Sequence, residues 1–385
     1  MSHGVLLTGA TGFVGTELLT RYLEHTDRRT YALVRAENEA AARRRLRERI
    51  GLLFGDEDRF DDRLTAVPGD VEAPGLGLAD GVGEELAGQV SEIVHCAASV
   101  VFELPLEDAR RINVEGTRHM LDFAKLCSER DRLDSFSYIS TAYVAGTHRG
   151  EFGEDELDVG QGFRNSYERS KFEAEALVRR HADRLPIQIF RPSIVVGETE
   201  TGWTDSFNVL YTPLRAFSRG HLPFVPARLR SPVDVVPVDY VADAVFELSG
   251  RGVEGLATYN LVAGEEATSV EELVGLASRE LGRSLPRVVP PPIYQRLLHP
   301  LLLWRSKGGR RRALERLEAF FPYFSMRVRY RDEHARRMLE PKGIRVKPIR
   351  SYFGRLIDFA ERAGWGRRAV GRPQASVRIS PPPPG

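Results

Sequence analysis

The first fifteen residues contain the feature that most constrains the fold, an apolar run that breaks into three glycines. The run is Val5-Leu-Leu-Thr-Gly9-Ala-Thr-Gly12-Phe-Val-Gly15, and an amphipathic stretch follows it. This order predicts a strand, a phosphate-binding loop and a helix whose positive N-terminus faces the phosphates. We expect Gly9 to allow a sharp turn, Gly12 to let backbone N–H groups approach a pyrophosphate, and Gly15 to let the helix pack closely. The pattern predicts a dinucleotide-binding α/β fold.

The end of the second predicted strand, residues 30–34, indicates which dinucleotide binds. In such folds an acidic residue near this point usually holds the adenosine ribose, but this chain has Arg35. A guanidinium pairs with a 2′-phosphate through two parallel hydrogen bonds, whereas a carboxylate repels it. Arg35 therefore predicts NADP(H), although an arginine that points to solvent would look the same. Within the arginine run of residues 43–47, Arg45 is a second candidate phosphate contact, and the rest reads as a solvated helix face.

Further buried strands are predicted near residues 64–67, 92–98 and 136–141. Each of these strands ends in, or is followed by, two candidate cofactor contacts. They are Asp70 and Val71, Ala97 and Ala98, and Ser140 and Thr141. Because the carboxyl ends of parallel strands meet at one crevice, we expect these residues to face the cofactor. Asp70 could bond the adenine edge or simply hold a turn. His95 and Cys96 are neighbours on a strand and point to opposite faces, so they are poorly placed as a catalytic pair.

A tyrosine and a lysine four residues apart form the strongest chemical signal. Tyr167 and Lys171 open a predicted helix, and this spacing places them on the same face. A phenol is a weak acid–base catalyst at neutral pH, and a nearby ammonium stabilises the phenolate and lowers its pKa. Preceded by Thr141 and the glycine loop, the pair predicts proton transfer beside a bound dinucleotide.

Composition gives no support for several other classes of protein. The 385 residues include 55 basic and 54 acidic side chains, so net charge gives no argument for nucleic acid binding. The two cysteines lie far apart, which favours a reducing cytosol. We expect no metal site, no signal peptide and no membrane span, and we expect a cytoplasmic protein. The sequence leaves the oligomeric state open.

These motifs together resemble the extended short-chain dehydrogenase/reductases over roughly residues 4–265. Within that superfamily the chain is most similar to fatty acyl-CoA reductases and to the thioester reductase domains of carboxylic acid reductases and peptide synthetases. The segments that carry the resemblance are Thr8–Gly15, Gly69-Asp70, His95–Ala98, Asn113, Ile139–Thr141, Tyr167-x-x-x-Lys171 and Arg191-Pro192, with Leu33–Ala36, Ser140–Val144, Val235–Asp239, Pro322–Phe324 and Lys342–Pro348 for the narrower match. The fold implied is a Rossmann-type doubly wound parallel sheet with a smaller, interleaved, mostly helical C-terminal substrate domain.

The resemblance implies a role for each matching residue. Tyr167 would donate a proton to the carbonyl oxygen as NADPH delivers hydride, Lys171 would hold the nicotinamide ribose, and Thr141 would bond the same oxygen. Asn113 would sustain a water relay, and Ser140 is the alternative catalytic hydroxyl. The residues expected to bind the cofactor are Thr8, Gly9, Thr11, Gly12, Phe13, Val14, Gly15, Arg35, Arg45, Asp70, Val71, Ala97, Ala98, Ser140, Tyr167, Lys171, Arg191, Pro192, Ser193 and Ile194.

The implied substrate is a fatty acyl thioester of coenzyme A or of an acyl carrier. Its reduction gives a hemithioacetal that expels the thiol and leaves an aldehyde, which the same site could reduce to an alcohol. The alternatives are a sugar-nucleotide epimerase or dehydratase, a hydroxysteroid-type dehydrogenase, or a regulator that binds NADP without turnover. Ala142-Tyr143 replace the Asp-Glu pair of most dehydratases, and regulators typically lack the tyrosine or the lysine.

We expect three parts in the chain. Residues 1–197 plus 231–262 would bind NADP, 198–230 plus 263–370 would bind the substrate, and 371–385 would be a disordered tail. In the second part, residues 293–312 are apolar and then basic. They could cover the cleft with their arginines in solvent. Alternatively, they could form a rim for an acyl chain and meet phosphates of coenzyme A, a carrier arm or an anionic membrane surface in a peripheral contact.

Overall fold

The central element is a parallel sheet that begins with the predicted glycine-loop strand. In the computed structural model, residues 4–375 are described except 208, 223, 306–307, 309–310, 312–313, 315–316 and 319. Seven strands of this described part form the sheet, in the order β3-β2-β1-β4-β5-β7-β12. They are β1 (Gly4–Thr8), β2 (Thr30–Val34), β3 (Leu64–Pro68), β4 (Val90–His95), β5 (Ser135–Ile139), β7 (Ile187–Pro192) and β12 (Leu256–Leu261). Every pair is parallel, which confirms the predicted Rossmann-type fold.

Helices connect the strands and cover both faces of the sheet. They are α1 (Phe13–His25), α2 (Glu39–Phe54), α3 (Val82–Ala87), α4 (Leu106–Arg110), α5 (Gly116–Ser128), α6 (Ser166–Arg179) and α8 (Val238–Ser249). A π-helical turn, Arg111–Glu115, joins α4 to α5. Apolar side chains of the sheet pack on one face with α1, α2 and α8, and on the other with α5 and α6. The strand order reverses between β1 and β4, where such sheets bind ligands at their carboxyl edge.

Eight short strands of the described residues lie outside this sheet and pair with one another. They are β6 (Arg149–Phe152), β8 (Ile194–Val196), β9 (Phe224–Pro226), β10 (Pro232–Val233), β11 (Val235–Pro237), β13 (Thr268–Ser269), β14 (Arg287–Val289) and β15 (Arg327–Tyr330). They pair as β6–β15, β8–β11, β9–β14 and β10–β13. Residues 198–229 contribute no described strand to the main sheet. Residues 232–237 do not rejoin it, since β11 pairs with β8 instead.

The remaining helices belong mainly to the C-terminal part. They are α7 (Tyr211–Ser218), α9 (Val270–Glu280), α10 (Pro291–Ile293), α11 (His299–Arg305), α12 (Glu333–Leu339), α13 (Phe353–Arg362) and α14 (Arg372–Ala375). Ser269 caps α9 by accepting a hydrogen bond from the Glu272 amide at 3.1 Å. Ala335 and Leu339 of α12 share a core with α1 and α8. Helix α12, although it lies in the C-terminal part of the sequence, therefore packs against the helices that cover the main sheet. The predicted division into domains stays a prediction.

The first residues of the expected disordered tail are ordered. Residues 372–375 form α14, and Ala375 packs among buried apolar side chains. Arg372 pairs with Glu198 at 2.6 Å and with Glu17 at 3.5 Å. The expectation of disorder is wrong for residues 371–375, because a long-range ion pair and apolar contacts hold them. Residues 376–385 lie outside the described part of the chain.

Candidate active site

One cavity of about 830 Å³ lies along the carboxyl edge of the sheet. It collects almost all of the residues predicted for cofactor binding and catalysis. Those lining it are Thr8, Gly9, Thr11, Gly12, Phe13, Val14, Gly15, Arg35, Arg45, Asp70, Val71, Ala97, Ala98, Ser140, Thr141, Tyr167, Lys171, Pro192, Ser193 and Ile194. The predicted residues Asn113 and Arg191 lie outside this lining. The geometry therefore brings the glycine loop and the Tyr–Lys pair into one space.

The glycine loop leaves the start of α1 open to an anion. Gly9 has a left-handed φ of 71°, as the predicted turn requires, and a Cβ there would lie 2.8 Å from the Ala97 amide nitrogen. A Cβ at Gly15 would lie 2.0 Å from the Gly9 carbonyl oxygen, so the close approach is between helix and loop. Gly12 precedes α1, and no side chain caps the helix there. This open, positive helix end fits the diphosphate of a dinucleotide.

Tyr167 and Lys171 lie one turn apart on α6, at the inner end of the cavity. The Lys171 ammonium donates a hydrogen bond to the Ile139 carbonyl oxygen at 2.8 Å and lies 4.3 Å from the centre of the Tyr138 ring. Burial lowers the pKa of Lys171 to about 8. Burial also raises the pKa of Tyr167 to about 12, although a hydrogen bond with Thr141 partly offsets this rise. The expected lowering of the Tyr167 pKa is thus not found, because desolvation of the phenolate dominates.

A buried ion pair below the cavity accounts for Arg191. Its guanidinium is fully buried and pairs with Glu175 at 2.6 Å. Glu175 lies one turn beyond Lys171 on α6, and it also accepts a hydrogen bond from the Ser140 hydroxyl at 2.6 Å. The prediction that Arg191 binds the cofactor is therefore replaced by a positioning role, since its side chain holds α6 to β7. Because the Ser140 hydroxyl donates to Glu175, it is not free to act beside Tyr167. This favours Thr141 as the hydroxyl beside Tyr167.

Asn113 is buried in the π-helical turn and connects two parts of the site. Its side-chain oxygen accepts a hydrogen bond from the Ser99 amide at 2.8 Å. Its side-chain nitrogen donates to the Ser170 hydroxyl at 2.9 Å, next to Lys171. π-Helical turns occur often at functional sites. Asn113 therefore fixes the loop after β4 against α6, and its part in a water relay stays a prediction.

The adenosine end of the cavity carries charges of both signs. Arg35 is largely exposed and donates a hydrogen bond to Glu72 at 3.0 Å. Arg45 donates to the Arg35 carbonyl oxygen. Asp70 uses one carboxylate oxygen to accept from the Glu72 amide at 3.0 Å, which is the turn contact considered from the sequence. Both arginines line the cavity, and their contact with a phosphate stays a prediction; Glu72 already holds Arg35.

The surroundings of His95 and Cys96 do not favour a catalytic role for this pair. The His95 ring is buried between the hydroxyls of Thr8, at 2.8 Å, and Thr117, at 3.2 Å. Burial lowers the pKa of His95 to about 3 and raises the pKa of the Cys96 thiol to about 12. A base with so low a pKa and a thiol with so high a pKa do not form a nucleophilic pair at neutral pH.

Aromatic side chains that the sequence reasoning missed close the site around Tyr167. Phe102 lies between the rings of Tyr167, at 5.6 Å, and Tyr323, at 5.3 Å between centroids. The Tyr323 hydroxyl donates to Glu168 at 2.9 Å and accepts from Asn165 at 2.8 Å. Asn165 is itself the N-cap of α6. A distant segment thus completes the cap of the helix that carries Tyr167, and no local sequence signal marks this contact.

The described residues give no support for a metal site or a membrane span. Among them, no three His, Cys, Asp or Glu side chains are grouped to hold a metal ion. None of the helices in this part is long and apolar enough to cross a membrane. In the segment 293–312, Ile293, Leu297, Leu301 and Trp304 are exposed. The predicted membrane contact stays a prediction, and Lys307, Arg310 and Arg312 lie outside the described residues.

The fold and the cavity define an extended short-chain dehydrogenase/reductase. The family model described as "Male sterility protein" matches residues 7–245, and the chain belongs to this family. The family is homologous to fatty acyl-CoA reductases and to the thioester reductase domains of peptide synthetases. The resemblance inferred from the motifs is therefore confirmed.

The similar proteins include a lipopeptide synthase, a fatty acyl-CoA reductase and a reductase domain. The chain is 34% identical to the isonitrile lipopeptide synthase of Streptomyces coeruleorubidus, over 64% of this chain and 16% of that protein. It is 29% identical to the fatty acyl-CoA reductase wat of Drosophila melanogaster, over 68% of this chain and 58% of that protein. The terminal R domain from the myxalamid pathway has a TM-score of 0.81 and 27% identity, covering 95% of this chain and 92% of that domain. The chain spans only part of the length of these curated relatives.

Proposed function

We propose that the protein reduces acyl thioesters with NADPH as the hydride donor. The observation that carries this proposal is the single cavity that holds the glycine loop at one end and Thr141, Tyr167 and Lys171 at the other. The family relationship, with members that are acyl-CoA reductases and synthetase reductase domains, supports the same reaction class.

The chain supplies a proton donor and the groups that position the carbonyl. Tyr167 keeps its proton at neutral pH, because its pKa lies near 12, and it donates this proton to the carbonyl oxygen of the substrate. Thr141 holds the same oxygen, and Lys171 places positive charge behind the developing alkoxide. Bound NADPH supplies the hydride to the carbonyl carbon. The resulting hemithioacetal releases the thiol and leaves an aldehyde, and a second reduction would give the alcohol.

The preference for NADPH rests on Arg35 and Arg45 at the adenosine end of the cavity. Their guanidinium groups offer several N–H donors to a 2′-phosphate. For the acyl donor, a thioester of coenzyme A and one of a carrier's pantetheine arm present the same reacting carbonyl. We propose a thioester substrate without choosing between these carriers, and a cytoplasmic location stays a prediction.

The test measures NADPH oxidation while acyl thioesters of different chain length are offered. We expect substrate-dependent oxidation by the unmodified protein and a loss of at least roughly 100-fold in kcat for Tyr167→Phe, because the proton donor is removed. Tyr294→Phe is the matched control, since that phenol is buried away from this cavity. Absence of oxidation with every thioester would contradict the proposed reaction. Unchanged turnover by Tyr167→Phe would remove the tyrosine from its role.

A further inference from the structure

The Lys171 ammonium is buried, and the described part of the chain gives it no ion pair. The side chain is only 2% exposed, and its ammonium donates a hydrogen bond to the Ile139 carbonyl oxygen at 2.8 Å. Glu175, one turn further along α6, pairs with Arg191 at 2.6 Å instead. A buried charge is costly unless another group compensates it. We therefore searched the surroundings of Lys171 for such a group.

The face of the Tyr138 ring offers negative potential to this ammonium. The Lys171 nitrogen lies 4.3 Å from the ring centre, well inside the distance of about 6 Å at which an aromatic face attracts a cation. Tyr138 belongs to β5 and is only 1% exposed, so water does not screen the contact. Burial raises the pKa of Tyr138 well above its usual value, and the neutral phenol acts through its ring. Tyr138 is not among the described residues that line the cavity, so it acts on the site only through Lys171.

The other titratable groups around Lys171 do not replace this contact. On β4, burial lowers the pKa of His95 to about 3 and keeps its ring neutral. Burial raises the pKa of the neighbouring Cys96 thiol to about 12, so it carries no charge at neutral pH. On α6, Tyr167 keeps its proton, and Glu175 raises the pKa of Lys171 although its carboxylate belongs to the buried ion pair.

The charge on the Lys171 ammonium is easily lost. Burial lowers the pKa of Lys171 to about 8, because the charged form is separated from water. A ring face attracts the ammonium much more than the neutral amine, so the contact favours the charged form and opposes this effect. In a desolvated site such a contact is strong enough to move a titration by about one pH unit. Loss of the ring would therefore leave fewer molecules with a charged lysine at neutral pH.

We propose that Tyr138 is a positioning residue for the reduction, and that the face of its ring holds the Lys171 ammonium in its charged form at the wall of the cavity. This inference rests on the proposed function, in which that charge stabilises the developing alkoxide. The contact joins β5 to α6, so it also fixes where the end of the lysine side chain lies.

The test replaces Tyr138 by phenylalanine and then by phenylalanines with one, three or five ring fluorines. Fluorine withdraws electron density from the ring face with little change in size, so a cation–π contact weakens stepwise. We expect the alkaline limb of the pH profile of kcat/KM to stay in place for Tyr138→Phe. Across the fluorinated series the limb should move to lower pH by roughly one unit. A ring that only fills space would leave the limb unmoved.

A second measurement follows Lys171 without any turnover. The chain contains five lysines, Lys125, Lys171, Lys307, Lys342 and Lys347, so NMR spectra of protein with ¹³C-labelled lysine have few signals to assign. The signal that disappears in Lys171→Arg belongs to Lys171. Its titration should move to lower pH in the same order across the fluorinated series as the limb does.

Phe136 is the matched control, because it is a fully buried ring two residues earlier on the same face of β5, away from the Lys171 nitrogen. Equal shifts from the same fluorinated series at Phe136 would overturn the proposal. A Lys171 titration that does not move with the fluorines at Tyr138 would also overturn it, as would a limb that stays in place while this titration moves. A titration that follows the fluorines in a protein that reduces no thioester would support the contact and contradict only the proposed function.

Discussion

At the scale of single residues, the proposed cofactor preference and pH range depend on Arg35 and Lys171. The sequence predicts that Arg35 contacts a phosphate, and the structure adds Glu72, which lies 3.0 Å from Arg35 and also pairs with Arg111. A bound 2′-phosphate must compete with this carboxylate. We therefore expect the affinity for NADPH to depend on both Arg35 and Glu72, of which the sequence indicates only Arg35.

We predict opposite effects from the two members of this pair. Arg35→Asp should weaken NADPH binding roughly 10- to 100-fold, because a charge-assisted hydrogen bond is lost and repulsion is added, and should change NADH binding little. Glu72→Gln should strengthen NADPH binding a few-fold by freeing Arg35. Quenching of protein fluorescence by each dinucleotide measures both constants. An unchanged preference in Arg35→Asp would contradict the 2′-phosphate contact.

We expect the pKa of Lys171 to set the alkaline limit of the proposed activity. Because burial lowers this pKa to about 8, Lys171 loses its charge as the pH rises through 8, while Tyr167 keeps its proton. Cys96 and Glu175 act in the opposite direction on Lys171. We predict that kcat/KM falls above about pH 8 in a profile from pH 6 to 10. Lys171→Arg should be less active but should lose this descending limb, since arginine stays charged. A limb that persists in this variant would assign it to another group.

At the scale of elements, helix α6 carries the residues proposed for catalysis on one face. Tyr167, Lys171 and Glu175 follow each other at intervals of four residues, so that the donor, the cation and the buried ion pair lie in one row. Glu175 and Arg191 hold the middle of the helix to the sheet. The first turn, which contains Tyr167, is held by Asn165 and by Tyr323 from the C-terminal part.

We predict that Tyr323→Phe lowers kcat by about three- to tenfold with little change in KM, since the aromatic stack remains but the cap of α6 loses two hydrogen bonds. Steady-state kinetics and thermal unfolding are both measured. Tyr294→Phe, which removes a buried hydroxyl elsewhere, should leave kcat unchanged. A fall in the melting temperature of Tyr323→Phe without any fall in kcat would show that this hydroxyl only stabilises the fold.

At the scale of the whole molecule, contacts between remote segments join the C-terminal part to the sheet. Glu154, which follows β6, accepts hydrogen bonds from the amides of Asn260, His334 and Ala335, at 2.7 to 3.1 Å. Arg372 connects α14 to the buried Glu17 of α1. Hydrogen bonds and an ion pair therefore join the C-terminal part of the chain to the main sheet and its helices at several positions.

Removing Arg372 should take away the ion pair of Glu198 and leave Glu17 with Arg21, at 3.2 Å. Burial already raises the pKa of Glu17, and Arg372 is the first of the charges that offset this. We predict that Arg372→Ala lowers the free energy of unfolding by about 2 kcal/mol, the lower range for a buried pair because the arginine is partly exposed. Urea unfolding measures this change. The exposed Arg368→Ala should have little effect, and equal effects of both would remove the special role of Arg372.

The sequence by itself determined the parallel α/β fold, the glycine loop, the Tyr167–Lys171 pair and the family, because each depends on spacing within one strand or helix or on a turn between them. The tertiary structure alone decided the partner of Arg191, the cap that Tyr323 adds to α6, the order of residues 371–375 and the contact between Lys171 and the Tyr138 ring. These features join side chains far apart in the chain, such as Asn165 and Tyr323, 158 residues apart. No local periodicity encodes such pairs, since they form only when the sheet and the C-terminal part pack together.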